Sequence, residues 1–168
     1  IGDMLVRRPY VQMQSLLDAT QPKGRRYYWK SEYLSRIDPE LCERFMEHGA
    51  RIRSPHSAVV LFQIGGALNR LDWEHSPVGN RDARYVLNLT ASWEQPGEDS
   101  AHIEWAREAW NDMKRFSTGG TYINFLTQDE GPERIKAALG KALQRLARVK
   151  AAWDPENVFR MNRNIRPG

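Results

Sequence analysis

The sequence has one cysteine, Cys42, which excludes an internal disulfide and any metal cage built from several thiolates. Free cysteine is usually buried, and Cys42 is expected as a core or half-buried thiol of a helix. Phosphate-cradling loops are also missing. Neither a G-x-G-x-x-G nor a Walker-type run occurs, and Gly65-Gly66 and Gly119-Gly120 are isolated pairs of the kind that make turns. No apolar run reaches the roughly 18 residues of a membrane-crossing helix. The four histidines, His48, His56, His75 and His102, are scattered and form no ligand spacing, so no metal site is expected. No nucleophile-elbow sequence supports Ser-His-Asp catalysis. The opening Ile1-Gly2-Asp3-Met4 lacks a basic stretch followed by an apolar one, so no signal peptide is read and a cytoplasmic location is expected. A start without methionine is read as a processed or truncated chain.

What is present is ordinary globular composition: 168 residues, 40% hydrophobic and 27% charged, enough for one domain (residues 1–168) with a real core. The net charge of +4 is unevenly placed. Residues 132–168 carry nine Lys/Arg against Glu133, Asp154 and Glu156, which is +6 and leaves the remainder at −2. A basic end fits nucleic acid, an anionic cofactor, or a solvated helix face.

Periodicity gives the elements. A short helix is expected from Tyr10 to Leu17, and an aromatic-rich strand from Arg26 to Tyr33. Asp38-Pro39 starts a helix carrying Leu41, Phe45, His48 and Ile52 at helical spacing. Ala58 to Ile64 reads as a central strand, and Ala67 to Trp73 as a second one, turned as a hairpin on Gly65-Gly66. Arg84 to Trp93 is a further strand. Asp99 or Ser100 caps a helix to Phe116, with Ile103, Ala106, Trp110 and Met113 inward. Thr121 to Leu126 reads as a short strand, and Lys141 to Trp153 as a last helix burying Leu143, Leu146, Val149 and Trp153. This order predicts an α+β fold, a mainly antiparallel sheet with helices packed on one face.

Two amides interrupt apolar strands: Asn88 in Tyr85–Thr90 and Asn124 in Tyr122–Leu126. Leaving such a group unpaired on burial costs about 1–3 kcal/mol. Each therefore either satisfies nearby loop backbone or points at a bound polar ligand, and the residues alone leave both readings open. Asn88-Leu89-Thr90 also matches the N-glycosylation acceptor, but it lies within a strand and modification is not expected.

Tyr122-Ile123-Asn124-Phe125, followed by Trp153-Asp154-Pro155-Glu156-Asn157-Val158-Phe159 and Asn162-Arg163-Asn164-Ile165, closely resembles the C-terminal module of berberine-bridge-like, FAD-linked oxidases. Tyr28-Trp29-Lys30-Ser31-Glu32-Tyr33, Thr90-Ala91-Ser92-Trp93-Glu94 and His102-Ile103-Glu104-Trp105 agree in order with the same family. The resemblance implies a substrate-side domain and closing tail, with an N-terminal FAD-binding domain outside this chain. It implies hydride transfer from a small organic substrate to FAD, with oxygen as acceptor, and no activity for this part alone. By position, Tyr122, Asn124 and Asn162 would lie toward the cofactor or its domain, and Asn88, Val86 and Phe125 toward the substrate. The basic tail then reads as a domain contact near an anionic cofactor, and no nucleic-acid or membrane partner is expected. An apolar sheet face left uncovered would also favour homodimers.

Two departures bear on catalysis. Phe125 stands where many plant members carry a tyrosine base, and Val86 where some carry a glutamate. The proton is then taken by another residue, such as Lys30 or Tyr28, or by the missing domain, or the substrate needs no base. Lys30 equally reads as a solvated strand lysine. The alternative to a flavoenzyme part is a stand-alone α+β module that binds a small ligand or self-associates. In that case residues 154–168 should pack on their own core.

Overall fold

A computed structural model describes residues 6–168. The helices are α1 (Tyr10–Gln14), α2 (Pro39–Ala50), α3 (Ala67–Arg70), α4 (Asp99–Met113), α5 (Pro132–Leu139) and α6 (Ala142–Trp153). The strands are β1 (Arg26–Leu34), β2 (Ala58–Gln63) and β3 (Tyr85–Trp93). The strands form one antiparallel sheet in the order β1-β3-β2.

Side-chain alternation divides the sheet into two unlike faces. Leu87 and Leu89 of β3 and Leu34 of β1 turn toward the helices, where they are fully buried with Leu41 of α2 and Ala109 and Met113 of α4. Each such leucine contributes about 1.5–3 kcal/mol. Ala91, Trp93, Trp105 and Ala106 continue this core toward the end of β3. α2 begins where Asp38 accepts a hydrogen bond from the Leu41 amide at 3.0 Å, with Pro39 in the first turn. α2 and α4 are stapled by Trp105 Nε1 donating to the His48 carbonyl (3.0 Å) and by His48 Nε2 with Asp112 (2.9 Å). The outer edge of β1 is covered by residues 117–121, through Tyr33 N to Gly120 O and Thr118 N to Tyr33 O, both 2.9 Å. This protects an edge that would otherwise offer unpaired backbone. The outer edge of β2 pairs with no strand among the described residues.

The α+β architecture agrees with the sequence reading, but several elements differ. Tyr10–Leu17 is helical only to Gln14, and a 3-10 turn follows at Asp18–Thr20. No hairpin turns on Gly65-Gly66. Gly66 has φ 62, a left-handed conformation, and α3 follows it. Asn69 Nδ2 then donates to the carbonyls of Arg81 (2.7 Å) and Ala83 (2.6 Å), and Arg81 donates to Leu68 O (2.7 Å). These bonds fold 64–84 into a closed excursion, after which β3 pairs with β2.

Thr121–Leu126 is also not a strand. A 3-10 turn over Ile123–Phe125 is closed by Phe125 N to Tyr122 O at 2.9 Å, because the β1 edge is already used by residues 117–121. Pro132 opens an additional helix, α5, and Gly140 at φ 52 separates it from α6. In α6 only Ala142 is fully buried. Val149 is 48% exposed and Trp153 86%, since nothing described here covers that face. Cys42 is exposed, because Leu41 and His48 take the inward face of α2.

Candidate functional site

The sheet face away from α2 and α4 carries a different chemistry. Register aligns three rows across it: Tyr33–Val86–Phe62, Ser31–Asn88–Val60 and Trp29–Thr90–Ala58. A trough of about 780 Å³ lies over these rows, with Trp29, Val60, Phe62, Asn88, Thr90 and Phe125 among its lining residues. The 17–21 segment closes one side. The 3-10 turn closes another, with Phe125 packing on Phe62 (ring centroids 6.0 Å) and edge-on to Tyr122 (5.1 Å).

The trough is aromatic and apolar with few polar groups, the usual composition of a small-molecule site. Asn88 is the central one, only 3% exposed. Its Oδ1 accepts from Thr90 Oγ1, and its amide nitrogen has no hydrogen bond among the described residues. The Ser31 hydroxyl, beside it in register, is buried and also unpartnered. Asn88 borders the trough, where its amide is free to donate to a bound ligand, whereas the Ser31 hydroxyl is sealed beneath the surface and is not part of the lining. Of the two readings of Asn88, loop backbone takes no part.

Asn124 resolves differently: it is exposed, and its Nδ2 donates to the Tyr122 hydroxyl at 2.8 Å. Val86 lies in the floor row beneath Phe125, packed with Tyr33 and Ala83. Burial pushes the Tyr33 phenol up to about 12, with Tyr122 adding to the shift, so it stays protonated and suits a donor better than a base. Asn162 is exposed in a left-handed conformation (φ 59). Its neighbour Arg163 donates to the carbonyls of Leu126 and Thr127, which brings the tail to the end of the 3-10 turn.

Lys30 and Tyr28 have the other strand parity and face the helices, away from Asn88. Lys30 is 3% exposed, neither a solvated lysine nor a trough residue. Its Nζ contacts Thr127 Oγ1 (3.0 Å), Asp129 Oδ1 (3.2 Å) and Glu130 Oε1 (3.4 Å). Tyr28 OH donates to Asp129 at 2.7 Å. Burial alone would raise the Asp129 carboxyl, but bonds from Thr127, Tyr28, Arg107 and Lys30 outweigh it and hold the group well below the usual range. Glu32, on the same face, is 2% exposed and meets Trp110 Nε1 (2.6 Å), Ser117 Oγ (2.5 Å) and Arg134 (2.9 Å). Here burial prevails and the carboxyl is raised despite those bonds.

Trp29 and His56 line the trough and are site residues that sequence reasoning missed. Both parities of β1 are aromatic or polar, so its pattern does not say which set faces the helices. His56, at the mouth, stands 3.4 Å from Glu94 and is the one histidine lining the trough.

The family described as berberine and berberine-like matches residues 121–166, from the 3-10 turn through the tail. An FAD-linked oxidoreductase of Dictyostelium discoideum is 24% identical over 95% of this chain and 35% of its own length. Tetrahydroberberine oxidase of Berberis wilsoniae is 27% identical over 90% of this chain and 32% of its own. Among solved structures, a flavoenzyme of shunt-product recycling in caerulomycin biosynthesis superposes with a TM-score of 0.75. It is 28% identical, over 87% of this chain and 33% of that one. The chain is similar to berberine-bridge-enzyme-like, FAD-linked oxidoreductases, with residues 121–166 matching that family's model. These relatives are FAD-linked oxidoreductases, and the chain spans about a third of the length of the curated relatives it matches. The Tyr122–Phe125 turn opens the matched segment and the tail closes it, while of the trough's lining residues Phe125 alone falls within it.

Proposed function

We propose that this chain is the substrate-side part of a flavin-dependent oxidase, forming the wall that faces an FAD held mainly by an N-terminal domain of the same protein. The observation that carries the reading is the trough on the open sheet face, with the unpaired Asn88 amide in its floor. The flavin supplies the acceptor for a hydride equivalent from a small organic substrate, with oxygen as the electron acceptor.

The residues here bind and orient. Trp29, Phe62 and Phe125 offer flat apolar surfaces to a ring-bearing substrate and keep water from it. Asn88 Nδ2 donates to one substrate oxygen, which fixes the face presented. Tyr122 and Asn124 stand exposed at the rim, suited to an aromatic ring and its polar edge. No phosphate-cradling loop exists in this sequence, in keeping with a flavin whose phosphates are held elsewhere. The trough lining holds no carboxylate, so the proton acceptor is His56 or a group of the missing domain. Within the tail, Arg163 and Gly168 return to the chain's own body, but the stretch before them supports the same reading. Val158, Phe159 and Met161 are 67%, 81% and 83% exposed, where a self-sufficient module would pack them on its own core.

The test is the intact mass of the full gene product beside its visible spectrum. A protein several hundred residues long with flavin bands is expected, together with a colourless isolated chain. In the long protein, Asn88→Leu should retain the flavin bands and lower turnover at subsaturating substrate by about tenfold or more, the loss of one buried hydrogen bond. A full-length product without flavin would end this reading.

A further inference from the structure

We infer that Lys30 is a positioning residue, which holds the Tyr122–Phe125 wall of the trough in place from the opposite face of the sheet. The inference rests on the flavin-site reading only for what the wall faces. Lys30 projects among the helices, and its cross-strand neighbour Leu89 is apolar. Its polar partners Thr127, Asp129 and Glu130 all follow the 3-10 turn directly. Burying an ammonium is costly unless it is paired, so the segment 127–130 is what makes this lysine tolerable here. The dependence runs both ways. Glu130 is itself buried (side chain 4% exposed), and Lys30 and Arg134 are its cationic partners.

The turn is anchored at both ends and only lightly between them. Upstream, Thr121 Oγ1 donates to Ser31 O at 2.9 Å, and Gly120 O accepts from Tyr33 N. Downstream, Lys30 is joined by Arg134, which donates to Ser31 O (2.8 Å) and pairs with Glu32 (2.9 Å) and Glu130 (2.8 Å). Arg163 holds the Leu126 and Thr127 carbonyls from the tail. Between these anchors, Phe125 meets the sheet through ring contact alone, which is non-directional. The ionic anchor therefore sets where Phe125 and Tyr122 stand. β1 transmits the constraint, since Lys30 and Glu32 face one way while Ser31 and Tyr33 face the trough side of the sheet.

The experiment uses the full-length flavin-bearing protein with Lys30→Met, Lys30→Arg and Thr127→Val. Amide exchange is followed by peptide over 121–127 and over 85–93, beside the visible flavin bands. Lys30→Met should speed exchange in 121–127 by about tenfold or more, leave 85–93 unchanged, and move the flavin bands. Lys30→Arg, which keeps the charge, should recover most of both effects. Thr127→Val removes one partner without uncovering a buried charge, so it gives a smaller loosening even if Lys30→Met folds poorly. Exchange rising equally in 85–93 would mean a general structural role and overturn the inference. So would 121–127 left unchanged in both Lys30→Met and Thr127→Val, or flavin bands unmoved while the turn loosens. A protein without flavin would sink the flavin reading, while the exchange comparison would still decide the clamp.

Discussion

Glu32 is buried and Asp129 exposed, and though Lys30, Glu130 and Arg134 link them, their surroundings push them in opposite directions. Burial raises Glu32, so the folded state holds its proton more tightly than the unfolded chain. Folding stability then falls as pH rises from the ordinary value of 4.5 toward the raised one. Asp129 is depressed, so its contribution is present above 3.8 and is lost as pH falls below it. The two together predict a stability maximum in mildly acidic solution. Replacing Glu32 with glutamine should flatten the decline on the neutral side, read as the change in Tm from about pH 4.5 to 7. An unaltered slope would mean that Arg134 compensates the carboxylate fully. At this scale the sequence was only partly legible. Asn88 stood out because an amide interrupts an apolar strand, whereas Trp29 did not, because only the register of the folded sheet shows which parity of β1 meets the trough.

Among the elements, those with strong local chemistry were readable. α2 carries its own start signal in Asp38-Pro39, and β2 and β3 are apolar runs of strand length. Asp38→Ala should therefore cost about 1 kcal/mol, measured by denaturant unfolding, since one amide of the first turn loses its acceptor. A loss below about 0.3 kcal/mol would show that Pro39 and core packing define that end without the cap. Other elements depend on distant partners. α3 replaces the expected hairpin because Asn69 finds carbonyls at Arg81 and Ala83, more than ten residues away. The 121–126 segment has strand-like composition, but the edge it would extend is taken by the residues just before it. Trp153 sits at an inward position of a helical repeat, and the surface that would cover it is not among the described residues.

Across the whole molecule, exposed apolar side chains gather in two places, from Val6 to Leu17 and at Trp153, Val158, Phe159 and Met161, the second set being the more exposed. The turn presenting the second set is well built. Asp154 accepts from the amides of Val158 (2.7 Å) and Phe159 (3.0 Å), and Asn157 takes the left-handed conformation at φ 53. A hydrogen-bonded turn that displays large apolar groups makes an adhesive surface. The isolated chain should self-associate, and Trp153→Glu with Phe159→Glu should shift it toward monomer in sedimentation at equal concentration. If the double variant associated as strongly as the parent, the sticky surface would lie elsewhere, with the exposed apolar side chains of Val6 to Leu17 the next place to look.

The alternation in β1 has a consequence for accuracy of folding. A slip of one residue against β3 would carry Lys30 and Glu32 into the trough and bring Trp29 and Ser31 under the helices. Apolar packing alone would tolerate that exchange, because Trp29 and Tyr33 can fill the space that Tyr28 and Leu34 fill beneath the helices. Ions cannot be traded so cheaply: the slipped strand would leave Glu130 and Arg134 without their β1 partners. The charges beneath this sheet thus serve as a proofreading code for strand alignment, rejecting a mispairing that shape alone would accept.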